Sequence, residues 1–75
     1  MNKQRRKTIV EMASAIESAA QRLRDILDEE RDSYENMPES LQGSDRGIDS
    51  ENAQECLEAA IESLEDAIMS LEDIN

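Results

Sequence analysis

The chain has no histidine, tryptophan or phenylalanine, a single cysteine, proline and tyrosine, and two glycines. Each shortage removes a class of function. Without histidine, and with Cys56 as the lone thiol, the common zinc sets cannot be assembled and no intrachain disulfide can form. One aromatic, Tyr34, offers no platform for stacking unpaired bases. The chain also lacks the run of about 18 apolar residues that a membrane span requires. Its start, "MNKQRRKTIVEMASAIESAA", is basic, but two glutamates interrupt what would be the apolar centre of a secretory leader. A single thiol with no mate agrees with a reducing, cytoplasmic setting.

Acidity is what the chain has in excess. Nineteen acids stand against eight bases, a formal charge of −11. Such a chain repels nucleic acid and anionic membranes, so the expected partner is a protein with a basic surface, with no direct nucleic-acid or membrane contact and no cofactor. The charge is uneven: all eight bases lie in residues 1–47 with ten acids, whereas residues 48–75 hold nine acids and no base.

Periodicity gives the fold class. Ile9, Ala13, Ile16, Ala20, Leu23, Leu27, Glu30 and Tyr34 alternate spacings of four and three, an apolar helix seam broken by Glu30 alone. Ala53, Leu57, Ala60, Leu64, Ala67, Leu71 and Ile74 form a second seam, with Ile61 and Ile68 beside it. These patterns predict an all-α chain: a helix over about 4–35, a turn over about 36–47 and a helix over about 48–74, folded as an antiparallel αα-hairpin in one domain spanning 1–75. At 1.5 Å per residue the helices are about 48 and 40 Å long, too long to pack on anything but each other. A 75-residue hairpin buries little, so Met12, Ile26, Ile61, Ile68 and Met69 are expected to stay partly wet. Dimerisation into a four-helix bundle would cover them. The core and dimer residues are thus expected to be Ile16, Leu23, Leu27, Leu57, Ile61, Leu64, Ile68 and Leu71.

The chemistry is carried by acids. Glu51, Glu55, Glu58, Glu62, Glu65 and Glu72 share a face of the second helix about 100° from its seam, extended by Asp66 and Asp73. Carboxylates so spaced lie roughly 5–6 Å apart, like phosphates along a nucleic-acid strand. A rigid acidic rod could enter a basic nucleic-acid groove with electrostatic steering. The plainer reading is a solvated, solubilising face, although such faces normally mix signs.

Other constellations are weaker. Asp28, Glu29 and Asp32 could face Glu62, Glu65 and Asp66 and hold magnesium, as in helical nucleotide pyrophosphatases, but the second helix has no base to grip a phosphate. "DRGIDSENAQEC" fails as a calcium loop, with Ser50 at its sixth position and Cys56 at its twelfth. The basic start, Lys3, Arg5, Arg6 and Lys7, is expected to pair with Glu72 and Asp73 at the far end of the second helix. Cys56, beside Leu57, reads as a small buried or half-buried thiol rather than a nucleophile. Glu30 is expected to meet Arg46, to meet a partner chain's arginine, or to lie beyond the packed region.

The bend is "ENMPESLQGSDRG". Asn36 ends the first helix and Pro38 blocks its continuation. Pro38 to Leu41 reads as one helical turn, with Leu41 and Met37 tucked over the core's end. Gly43 supplies the turn, Ser44 and Asp49 are both candidate N-caps, and Arg46 and Gly47 complete the turn set. This stretch resembles the "N-L-P-E-S-L-Q-x-S-x-R-G" turn of small acidic proteins encoded by bacteriophages and prophages. The likeness extends over nearly the whole chain: a basic start, Glu29-Glu30 and Tyr34, the turn from Asn36 to Gly47, then Ala60-Ile61-Glu62 and Ala67-Ile68. Met37 and Gly43 depart from the pattern. The resemblance implies a helical phage protein with no assigned enzymatic activity, working in the host cytoplasm.

The functional expectation is therefore a non-enzymatic protein-binding module. In its sharper form it is an acidic, nucleic-acid-mimicking inhibitor of a host nucleic-acid-handling or defence protein. The alternatives are a structural or assembly factor binding through an apolar helix face, and a magnesium-dependent nucleotide hydrolase.

Overall fold

The computed structural model describes residues 1–74. Helix α1 runs Lys3–Glu35, a short helix α2 runs Glu39–Gln42, and α3 runs Asp45–Glu72. The described residues contain no strand. α1 packs along α3, and α2 closes one end. The result is a rod of 58 × 14 × 13 Å. Its radius of gyration is 17.2 Å, against about 11 Å for a compact domain of this length.

Each helix end has a local cause. Asn2 caps α1: its Oδ1 accepts the Arg5 backbone N–H at 2.8 Å. Asn36 ends α1, its N–H donating to the Asp32 carbonyl. Pro38 then sits just before α2 rather than inside it, and its carbonyl accepts the backbone N–H groups of Leu41 and Gln42. Ser44 rather than Asp49 precedes α3, so α3 begins at Asp45 and takes in Arg46 and Gly47, which the sequence reading assigned to the turn. The Ser44 hydroxyl does not cap α3. It donates back to the Leu41 carbonyl.

The bend is held by a residue that composition does not single out. Gln42 Nε2 donates to the carbonyls of Tyr34 and Met37 at 3.2 and 3.3 Å, joining the Met37 N–H that the Tyr34 carbonyl already accepts and pinning α2 to the end of α1. Leu41 is exposed instead of covering the core, and Met37 is half-buried. The two glycines differ in kind. Gly43 has φ −86°, a conformation any residue adopts, and a Cβ there would meet nothing. At Gly47 a Cβ would lie 1.9 Å from the Gln42 carbonyl oxygen. Glycine is required there because α2 ends against the face of α3.

The predicted α1 seam is the packed one: Ala20 and Leu27 are buried, and Ile9, Ala13, Ile16, Leu23, Glu30 and Tyr34 are half-buried. In α3 the seam is rotated from the expectation. Gly47, Ser50 and Ile61 are buried, and Gln54, Leu57, Leu64, Ala67, Ile68 and Leu71 are half-buried, whereas Ala53, Ala60 and Ile74 are exposed. Two phases of α3 share the leucines 57, 64 and 71 and differ in whether alanines or isoleucines complete the stripe. Each Ile exceeds Ala by three carbons, and a buried methylene is worth about 0.8 kcal/mol, so the isoleucine phase wins. Ile61, expected to remain partly wet, is consequently 7% exposed.

Candidate partner-binding face

The rotated seam redistributes the acidic stripe. Glu51, Glu58 and Glu65, seven residues apart, fall on the shoulder of α3 that borders α1. Each is tied across the hairpin. Tyr34 donates its phenolic O–H to Glu51 at 2.5 Å. Arg31 reaches Glu58 at 2.8 Å, and Arg24 reaches Glu65 at 3.3 Å. Arg24 also contacts Glu17 at 3.4 Å, and Arg31 lies 3.9 Å from Asp28. These three acids of the predicted face therefore serve the fold.

The ties leave their mark on proton affinities. The Tyr34 phenol is held above its ordinary pKa, first by its hydrogen bond to the Glu51 carboxylate, then by desolvation and the nearby negative charge. The Arg24 guanidinium is likewise raised, chiefly by its hydrogen bond to Glu65, with desolvation acting against it and Glu17 adding to it.

Glu55, Glu62, Asp66 and Asp73 remain on the outer side of α3, exposed and outside these ties. No base lies anywhere on α3 beyond Arg46. Glu55 and Glu62 stand about 10 Å apart along the helix, and Glu62 and Asp66 about 6 Å. Glu72 is exposed at the open end and lines a groove there with Arg6, Ile9, Val10, Ala13, Leu71 and Ile74.

Several sequence expectations are redirected. The interhelical ion pairs form at Arg24 and Arg31; among the described residues Lys3, Arg5, Arg6 and Lys7 form none. Glu30 neither pairs with Arg46 nor lies beyond the packed region: it is half-buried and accepts a hydrogen bond from the buried Ser50 hydroxyl at 2.8 Å, and Gln54 donates to that same hydroxyl at 3.3 Å. The break in the seam is thus a polar layer shared by both helices. Cys56 is exposed rather than buried. The proposed magnesium constellation is not assembled: among the described residues no three Asp, Glu or Cys side chains converge on one point. No described helix is long and apolar enough to cross a membrane.

Nothing in α3's charge pattern separates tying acids from free ones in advance. The signal that finds the ties is the heptad relation of Glu51, Glu58 and Glu65 to Arg24 and Arg31, themselves seven apart, once the isoleucine phase of α3 is chosen. No protein-family model, curated protein or solved structure matches the chain.

Proposed function

We propose that this chain is a non-enzymatic, phage-type protein-binding module that acts in the cytoplasm. Its outer face on α3 engages a basic surface of a protein partner. The single observation that supports this reading is the set Glu55, Glu62, Asp66 and Asp73, exposed and left outside the interhelical ties on a helix devoid of lysine. Like charges along one helix destabilise it. The ties to Arg24, Arg31 and Tyr34 offset that repulsion for Glu51, Glu58 and Glu65 and leave the outer acids uncompensated. In the sharper form, the rod occupies the groove of a nucleic-acid-handling or defence protein in place of a nucleic-acid strand. The proposal includes the pairing of two hairpins into a four-helix bundle, supported by the small number of buried apolar side chains, Ala20, Leu27 and Ile61 among the described residues.

Capture from bacterial lysate tests it. The wild-type chain retains a basic protein at low salt and releases it as salt rises or nucleic acid is added. The triple variant Glu55→Lys/Glu62→Lys/Asp66→Lys retains none. Reversal of Glu58 or Glu65 is not a clean probe, because it breaks a tie to α1. A second reading, an assembly factor binding through apolar side chains, is favoured by the exposure of Met12 and Met69, 51% and 64%. It wins if the lysine variant still captures the partner while Met12→Asp or Met69→Asp does not.

A further inference from the structure

The two shoulders of the seam are chemically opposite. One carries the arginines and glutamates of the interhelical ties. The other carries Met12, Ala19 and Ile26 on α1 and Ala53, Ala60 and Ala67 on α3, at the same seven-residue spacing. Beyond the α3 alanines lie Cys56, Ser63 and Ser70, all exposed and uncharged. Met12 is 51% exposed and Ile26 48%. Beyond the α1 residues lie Ala15, Arg22 and Glu29, so the uncharged part of this shoulder is its α3 half from Ala53 to Ser70, and on a chain of charge −11 that is where a second copy can approach without opposing carboxylates.

The surface area argues for the same occupant. The chain exposes 5677 Å². A compact monomer of its mass exposes about 4,700 Å². The excess, on the order of 1,000 Å², comes from the rod shape, and a rod 58 Å long has the surface to supply the roughly 800 Å² that each partner gives a standard stable interface.

Charge along the rod fixes the orientation. The bend end, residues 28–51, holds nine acids and two bases. The open end, residues 1–12 with 66–74, is balanced: Lys3, Arg5, Arg6 and Lys7 against Glu11, Asp66, Glu72 and Asp73. Two rods laid parallel would set one acidic bend on the other. Laid antiparallel, the basic start of each runs beside the acidic bend of its mate, with Arg5 at the level of Asp49. Unlike charges meet only in the second arrangement.

Resting on the pairing proposed above, we infer that two copies associate antiparallel through this uncharged shoulder, each basic start lying against the other's bend. It assigns a partner to the four N-terminal bases, which make no ion pair within the described chain. It also leaves the acidic outer face of α3 open.

Sedimentation equilibrium of the full chain, in reductant, comes first. The expected mass is that of a dimer. Ala60→Glu and, independently, Ile26→Glu raise the dissociation constant at least about tenfold by placing a charge in the interface, with helicity by circular dichroism unchanged. Glu62→Lys, on the other side, leaves the mass unchanged. Cross-linking then reads orientation. The middle of the rod lies near Ala20 and, through the Arg24–Glu65 tie, near Glu65. An antiparallel two-fold there puts the two Cys56 thiols roughly 27 Å apart, far outside disulfide reach, and brings residue 63 of each copy close. Oxidation therefore leaves wild-type dimers uncrosslinked and joins Cys56→Ser/Ser63→Cys. A monomer at all concentrations overturns the pairing itself. A dimer indifferent to both glutamates overturns the face. Ready Cys56 cross-links without Ser63→Cys cross-links overturn the antiparallel orientation alone.

Discussion

At Gly47 a side chain has no room, because the Gln42 carbonyl occupies the position of its Cβ. Gly47→Ala is expected to lower stability by about 1–3 kcal/mol as α2 is forced off α3. Gly43→Ala, at ordinary backbone angles in open space, is expected to be neutral or to stabilise by up to about 1 kcal/mol. Urea denaturation of the two variants separates these roles, which look alike in the sequence. Tyr34 offers a second test at this scale. Its phenol donates to Glu51, and its pKa is raised in the folded chain. A group whose folded pKa exceeds its unfolded value contributes stability that is complete below the unfolded pKa, near 10 for tyrosine, and is lost as pH rises through the folded value. Stability should therefore fall above about pH 10, and Tyr34→Phe should abolish that part of the fall. As the sole aromatic residue, Tyr34 reports its own titration through tyrosinate absorbance. Ser50 is the third: it is 5% exposed, and its hydroxyl is shared by Glu30 and Gln54. Ser50→Ala should cost about 1 kcal/mol.

Among the elements, α1 was fully legible. Its apolar residues admit one phase, and every member of that phase is buried or half-buried. α3 was legible as a helix but not in phase. The N-terminal part of its true seam is Gly47, Ser50 and Gln54, none of them apolar in the usual sense, so the alanines at 53 and 60 drew the stripe aside. Glu30 made sense only once Ser50 was known to lie opposite. The start of α3 was open between Ser44 and Asp49; Ser44 holds the N-cap position, although its hydroxyl bonds backward to α2 instead of capping. These readings lead to a paired prediction. Ile61→Ala should cost about 2–3 kcal/mol, the low end of core truncations because this thin core is easily reached by water. Ala59→Ser, two residues away, exposed and outside the pairing shoulder, should change stability by less than about 0.5 kcal/mol. The acidic face divides along the same line. Glu58→Lys and Glu65→Lys should lower the melting temperature by repelling Arg31 and Arg24, whereas Glu55→Lys and Glu62→Lys should not.

At the scale of the molecule, the hairpin is a rod with unlike sides. Interhelical ties line one shoulder, uncharged residues line the other, and free carboxylates cover the outside of α3. The overall hairpin was readable from two long seams and one bend. Which acids are free was not, because that depends on the rotation of one helix by a single heptad position. The proposed function depends on this sorting: binding energy must come from the carboxylates that the fold leaves unused. The most direct measurement is the salt dependence of affinity for the captured partner, compared between the wild type and Glu55→Lys/Glu62→Lys/Asp66→Lys. The proposal predicts a steep loss of wild-type affinity with salt, and a variant that binds at least about tenfold more weakly at low salt with a shallower slope. A wild-type affinity flat in salt, or a variant that binds as tightly as the wild type, would contradict it.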